Sequence, residues 1–378
     1  MRPTLKSKRR IVIKVGSSAL VGEDNQLSAA RCRELARQIA PLVRGKRQVV
    51  LVSSGAIAAG LGKLGRTRKP HQIPLKQALA ATGQTTLMQH YEKAFARYDL
   101  MVAQILLTLD DLSNRRRFLN ARHTLDELFG LNILPIVNEN DTVAVHEIKV
   151  GDNDNLAALV THLVEADLFI NLSDVDGVFE EDPRLNPKAR RISVIEHIDS
   201  FLKVKAGDTL RTGSTGGMQT KLEAAEKAQR YGVASVIANG RQKNILTQIL
   251  EGRDVGTLIL PKEGRDRLNS RKYWLAYSLK PCGSLVVDGG AKKALMERGR
   301  SLLPSGVQDI VGRFNQGDPI DLQVSGEAPF ARGLTCYSSS ELSQIKGAKS
   351  ADIEKILGYK YFDEVIHRND LVLLPRNS

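Results

Sequence analysis

Cysteine is scarce. The 378-residue chain has three, Cys32, Cys282 and Cys336, far apart and without disulfide or metal-ligand spacing. That scarcity suits a reducing compartment, and a cytoplasmic location is expected. The seven histidines are scattered, so no metal site is expected from the protein's own ligands. No apolar run reaches membrane-spanning length, which argues against a membrane protein. The opening MRPTLKSKRRIVIKVGSS imitates a signal peptide, yet Lys14 breaks its apolar run at once and no small-residue cleavage pattern follows. Internal repeats, low-complexity tracts and a GxxxxGK[ST] loop are all missing. Gly60-Leu-Gly62-Lys-Leu-Gly65 fits GxGxxG but lies well past a strand end, outside the dinucleotide-binding context. GDNDN at Gly151–Asn155 hints at calcium, but a count from Asp152 puts Ala157 where an EF-hand requires glycine.

What is present is a large hydrophobic fraction, 42%, enough for a sizeable core and two domains. The formal net charge is +13. Residues 1–265 carry 39 Lys+Arg against 29 Asp+Glu, whereas residues 266–378 carry 16 against 13. The excess clusters at Arg2–Arg10, Lys63–Lys76 and Arg115–Arg117. It reads as a solvated face, or an attraction for anionic substrates, in preference to an RNA groove.

Over the first 260 residues, short β-rich runs alternate with helical patterns. Strands are expected at Arg10–Val15, Gln48–Val52, Met101–Thr108, Ile133–Val137, Leu168–Leu172, Ser235–Ala238 and Gly256–Leu260. Several are continuous apolar runs (VVLV, LFINL, SVIA), as in a parallel sheet covered on both faces. Helices are expected at Ser28–Val43, Leu75–Tyr98, Asn114–Phe129, Asn155–Glu165 and Thr220–Tyr231. The alternation predicts an α/β fold with helices on both sides of a mainly parallel sheet, and a ligand crevice beyond the strands' carboxyl ends. A polar stretch then suggests a linker at 263–274, separating a domain at 1–262 from one at 275–378. In the latter, GSLVVDGGA, SLLPSGVQDIVG and DPIDLQV look like short strands of a small, mainly β module.

Four segments carry chemistry. IVNENDTVAVHEIKVGDNDN, Ile136–Asn155, gathers carboxylates and amides around Lys149. Acids so grouped call for a cation or many donors between them, so the segment reads as a pocket for an ammonium group or a metal-bound phosphate. Lys14 ends the first strand, followed by Gly16 and the capping residues Ser17 and Ser18; it suits an anion, although a lysine there could also reach water. Ser53, Ser54 and Gly55 stand between a strand and a small-residue helix, where backbone donors would hold an anion or a serine would simply cap. SDVDGVFEEDPR, Ser173–Arg184, follows a strand with turn chemistry that could close over a nucleotide. GSTGGMQTK, Gly213–Lys221, is a glycine-rich loop ending in a lysine at a helix start; alone it is equally a surface turn, with its neighbours a polyphosphate site.

In this order, IVIKVGSS, VSSGAIAAG, VNENDTVAVHEIKVGDNDN, LSDVDGVFEEDPR and TGGMQTK resemble the amino acid kinase family over an αβα sandwich, and RGRSLLPSGVQDIVGRFNQGDPI resembles a PUA module. The blocks are most similar to members that phosphorylate the side-chain carboxylate of L-glutamate, the first step of proline biosynthesis. One departure is Ser173-Asp174, where the family usually has Thr-Asp; the hydroxyl is kept. The resemblance implies ATP and Mg2+ as cofactors. It implies Lys14, Lys221 and Asp154 as catalytic residues, with Asp154 holding the two lysines. It assigns glutamate to Ser54, Asp141 and Asn153. It assigns ATP to Lys14, Ser173, Asp174, Thr215, Gly216, Gly217, Met218, Gln219, Thr220 and Lys221. Magnesium is expected on phosphates and water. Proline is the implied feedback inhibitor, a homo-oligomer (tetramer or dimer) the implied assembly, and glutamyl phosphate reductase a possible contact. Two alternatives remain: a kinase acting on aspartate or N-acetylglutamate, and RNA binding through the PUA-like module. The balanced charge of the tail and its lack of an aromatic stacking cluster weigh against nucleic acid.

Overall fold

The computed structural model describes residues 2, 5–22, 26–66, 70–144, 153–183, 185–198, 217–261 and 281–374. The chain divides into two compact units, Met1–Gly264 and Arg265–Ser378. The expected linker at 263–274 lies outside the described residues.

The first unit is built on an eight-stranded sheet: β1 (Arg10–Val15), β2 (Gln48–Ser53), β3 (Val102–Leu107), β4 (Leu134–Glu139), β5 (Leu168–Ser173), β6 (Val194–Ile195), β7 (Ala234–Asn239) and β8 (Thr257–Ile259). Their order across the sheet is β3-β4-β2-β1-β5-β7-β8-β6. The six strands from β3 to β7 in that order run parallel, while β8 pairs antiparallel with β7 and parallel with β6. All seven expected strands are present, with ends shifted by at most two residues. The direction of β8 and the two-residue β6 are additional features.

Alternation along each strand sorts its side chains between two cores. Ile11 and Ile13 pack with Leu35, Ile39 and Tyr91, from helices Ala29–Arg44 and Ile73–Phe95. Val12, Val52 and Phe169 pack on the other face with Leu156, Val160 and Ala224, from helices Asn153–Leu163 and Met218–Arg230. Lys14 shares the parity of Val12, so β1 itself aims the lysine at the second helix pair. The expected helix at Asn114–Phe129 is preceded by a separate one, Leu109–Ser113, which a Thr108–Asp111 capping box starts. The helix expected from Asn155 begins two residues earlier, at Asn153.

The second unit has a five-stranded sheet, ordered β10-β9-β11-β12-β13: β9 (Gly283–Val287), β10 (Val307–Gly312), β11 (Pro319–Gln323), β12 (Ala331–Leu334) and β13 (Leu371–Leu373). Its core contains Leu285, Ile320, Leu322, Tyr337 and Ile345. Helices that strand patterning missed follow local caps: Asp288 accepts from the Ala291 backbone before Gly289–Arg298, and a Ser338–Glu341 capping box opens Ser339–Ile345. Among the described residues no helix is long and apolar enough to cross a membrane.

One close contact fixes the scaffold beside the candidate site. Helices Ala56–Lys63 and Ile73–Phe95 meet at Gly60 and Gly83. A Cβ on Gly83 would lie 1.9 Å from the Ala56 carbonyl oxygen, and one on Gly60 would lie 2.0 Å from that of Leu79. Backbone cannot retreat as a flexible side chain can. Gly83→Ala is therefore expected to cost about 3 kcal/mol or more, read as a lowered urea midpoint; an unchanged midpoint would refute the tight crossing.

Candidate active site

The carboxyl ends of β1, β2, β4 and β5 bring the expected residues to one edge of the sheet. Lys14 comes from β1, Ser54 directly follows β2, and Ser173 and Asp174 end and follow β5. Helix Asn153–Leu163 supplies Asn153 and Asp154 from its first turn, where the helix dipole favours a carboxylate. Helix Met218–Arg230 supplies Thr220 and Lys221 from its own first turn.

At the centre is Asp154, 1% exposed. The Lys14 ammonium lies 2.6 Å from its Oδ1, and the Lys221 ammonium 3.4 Å from its Oδ2. Thr220 Oγ1 donates to Oδ2 at 2.8 Å, and Asn171 Nδ2 donates to Oδ1 at 2.9 Å. Burial alone would raise the carboxyl's pKa, but the charges of Lys14 and Lys221 outweigh it and hold the group well below the usual range. Burial lowers the pKa of Lys221, with Lys14 adding to the effect and Asp154 opposing it. Two cations thus share one inward carboxylate, an arrangement able to accept further negative charge.

Ser173 and Asp174 join this group. Ser173 Oγ donates to Asp174 Oδ1 at 2.9 Å. Burial opposes ionisation of Asp174, yet that hydrogen bond, a backbone donor and the charge of Lys221 keep its carboxyl below the ordinary value. Gly217 caps the helix Met218–Arg230, its carbonyl 2.9 Å from Thr220 Oγ1 and competing with Asp154 for that hydroxyl's one proton. Met218 packs at the edge of a small core with Val178 and Ile237, while Gln219 Nε2 donates to Glu223. Thr215, Gly216 and Lys149 lie outside the described residues.

A second cluster forms between β2 and β4. The two protons of Asn153 Nδ2 are shared among three acceptors within reach, the Ser53 carbonyl at 3.2 Å, Ser54 Oγ at 2.9 Å and Asn138 Oδ1 at 3.0 Å. Ser54 and Asn153 are therefore together, as expected. Asp141 stands in the turn after β4; burial pushes its carboxyl up to about 6. Beneath them, the Ser53 hydroxyl and the Tyr91 phenol are hydrogen-bonded at 2.7 Å.

Sequence reasoning missed Asn171 and Asn138. Asn171 had a legible signal, an amide inside the apolar run LFINL, since a buried amide needs a partner. Its other atom, Oδ1, and Asn153 Oδ1 are buried and accept no hydrogen bond among the described residues. Orphaned acceptors at a strand-end cleft fit a donor-bearing ligand. The two converging ammonium groups fit the phosphates of a nucleotide. Among the described residues, no group of three His, Cys, Asp or Glu could hold a metal ion.

Known proteins are similar to this chain. The amino acid kinase family model matches residues 9–239, and the PUA domain model matches residues 283–357. A glutamate 5-kinase of Pelobacter propionicus is 49% identical over 99% of this chain and 100% of its own. A glutamate 5-kinase of Geobacter sulfurreducens is 50% identical over the same shares. A UMP kinase structure from Bacillus anthracis aligns with TM-score 0.45 and 17% identity, covering 67% of this chain and 96% of that one.

Losing the shared anion should be costly. Asp154→Asn leaves two buried ammonium groups without their counter-charge, and a stability loss of about 3–5 kcal/mol is expected, measured by chemical denaturation. Equal stability of variant and parent would mean that the carboxylate does not neutralise both lysines.

Proposed function

The chain belongs to the amino acid kinase family, and on that premise we propose that it is an ATP-dependent kinase of the L-glutamate side-chain carboxylate, producing L-glutamyl 5-phosphate and ADP in the first step of proline biosynthesis. The observation that carries this reading is the pair of buried lysines, Lys14 and Lys221, converging on Asp154 at the strand ends. Relatives of that activity match across both of this chain's units.

Chemistry requires little covalent help from the protein. The acceptor carboxylate is ionised at neutral pH and is itself the nucleophile, so no general base is needed. As the phosphoryl group leaves ATP, negative charge spreads over its oxygens, and pre-placed cations lower the barrier. Lys14 and Lys221 serve that purpose, and Asp154 holds both ammonium groups in place. Ser173, Asp174 and the 215–221 segment (Thr215, Gly216, Gly217, Met218, Gln219, Thr220, Lys221) hold ATP, with magnesium on its phosphates. Ser54 and Asn153 hold glutamate, and Asp141 meets its ammonium group.

The same reading places the protein in the cytoplasm, consistent with free Cys32, Cys282 and Cys336. Proline, which has an ammonium and a carboxylate like glutamate, competes for this pocket as feedback inhibitor. A homo-oligomer and a hand-over of the unstable acyl phosphate to glutamyl phosphate reductase complete the proposal.

Trapping with hydroxylamine tests the acceptor. ATP-dependent hydroxamate is expected with glutamate and not with aspartate or N-acetylglutamate; product from either of the others instead would transfer the site to that substrate. The Asp141 carboxyl gives a pH signature. With a value of about 6, it is neutral below that pH and a carboxylate above it, and only the carboxylate pairs with an ammonium. The glutamate KM should thus fall as pH rises through 6. Asp141→Asn should flatten that profile and raise KM at pH 7, whereas a parallel profile in the variant would remove Asp141 from the glutamate site.

A further inference from the structure

Four amide side chains run in series from the candidate glutamate pocket to the edge of the sheet. Asn153 Nδ2 donates to Asn138 Oδ1 at 3.0 Å; Asn138 Nδ2 donates to Gln84 Oε1 at 2.9 Å; Gln84 Nε2 donates to Gln104 Oε1 at 3.2 Å. Asn138 is buried in β4, Gln84 is half-buried on helix Ile73–Phe95, and Gln104 is exposed on the edge strand β3.

An amide can present either end to another amide, so such a chain has two possible directions. Here a one-sided partner selects one of them. Asn153 Nδ2 also faces the Ser53 carbonyl, 3.2 Å away, and a carbonyl can only accept. The Asn153 NH2 group must therefore point to β2. Asn138 has to answer with its oxygen, which turns its own NH2 toward Gln84, and Gln84 must answer with Oε1. The end left over is Asn153 Oδ1, buried (9% exposed for the residue) and without a donor among the described residues.

We propose that Gln84 is a positioning residue for the acceptor amino acid: acting through Asn138, it holds the Asn153 amide with its oxygen toward the substrate's ammonium group. The proposal rests on the reading of Asn153 as a glutamate contact. Gln84 is well placed for this, because its neighbour Gly83 locks the helix against Ala56–Lys63. Its single required function is to offer an acceptor to Asn138 Nδ2. Without that acceptor the Asn138 amide is free to turn, its NH2 can meet the NH2 of Asn153, and the pocket loses its fixed polarity.

Three substitutions separate this from a simple packing role. Gln84→Met keeps the length but removes the acceptor, and the glutamate KM is expected to rise about five- to tenfold, the size of one net hydrogen bond. Gln84→Glu keeps an acceptor and should leave the glutamate KM within about twofold of the parent. Gln84→Lys offers donors only, opposing Asn138, and should raise KM at least as far as Gln84→Met. In all three the ATP KM should stay near the parental value. The proposal is overturned if Gln84→Met leaves the glutamate KM unchanged, if Gln84→Glu shifts it as much as Gln84→Met, or if the KM values for ATP and glutamate rise together. Failure of the underlying kinase reading is distinct: the parent protein would then form no hydroxamate from glutamate.

Discussion

Two positive charges held against one buried negative charge set the terms for the catalytic unit. Desolvation makes each of the three groups costly alone. Lys14 comes from a strand, Lys221 and Asp154 from two helices, and the three meet at a single point. Bringing them together therefore ties β1 to two of the helices that cover one face of the sheet. Thr220 and Asn171 complete the carboxylate's hydrogen bonds, so Asp154 is fixed from four directions before any ligand arrives. A carboxylate fixed in this way cannot swing to follow either lysine. In the proposed reaction the cations would keep their places while phosphate charge changes between them, which is the requirement for electrostatic preorganisation.

Much of the catalytic unit's frame was legible because its strands are apolar on both faces. Runs such as VVLV and LFINL mark buried parallel strands with little ambiguity, and their carboxyl ends marked the crevice. Direction was less legible. Periodicity gives the same pattern for a strand running up or down, so nothing in Gly256–Leu260 announced that β8 opposes β7. Two residues, as in β6, are too few to show any period. In the second unit, patterning recovered β9, β10 and β11 but passed over β12, β13 and the helices that capping side chains start.

At the site, motif order brought out Lys14, Asp154 and Lys221, whereas Asn171, which donates to Asp154, and Asn138, which accepts from Asn153, did not stand out. Asn171 and Asn138 each look like one polar residue near a strand end. Their meaning lies in partners 17 and 15 positions away in the chain, and spacing of that kind follows no local rule. Asn153 was visible as part of GDNDN, but its place inside the first helical turn was not, since the helix opens two residues before the apolar pattern begins. Polar side chains that work through other polar side chains are the part of a site that only three dimensions supply.

The parity of β1 has an effect on how this chain reaches its native state. Ile13 and Lys14 occupy opposite faces, and slipping the strand by one residue would exchange them. The ammonium would then enter the aliphatic layer formed by Leu35 and Ile39, with no carboxylate to meet it. An unpaired buried charge costs several kcal/mol, comparable with the whole stability margin of many domains. Lys14 thus helps to set the register of β1 through the cost of its charge on the wrong face.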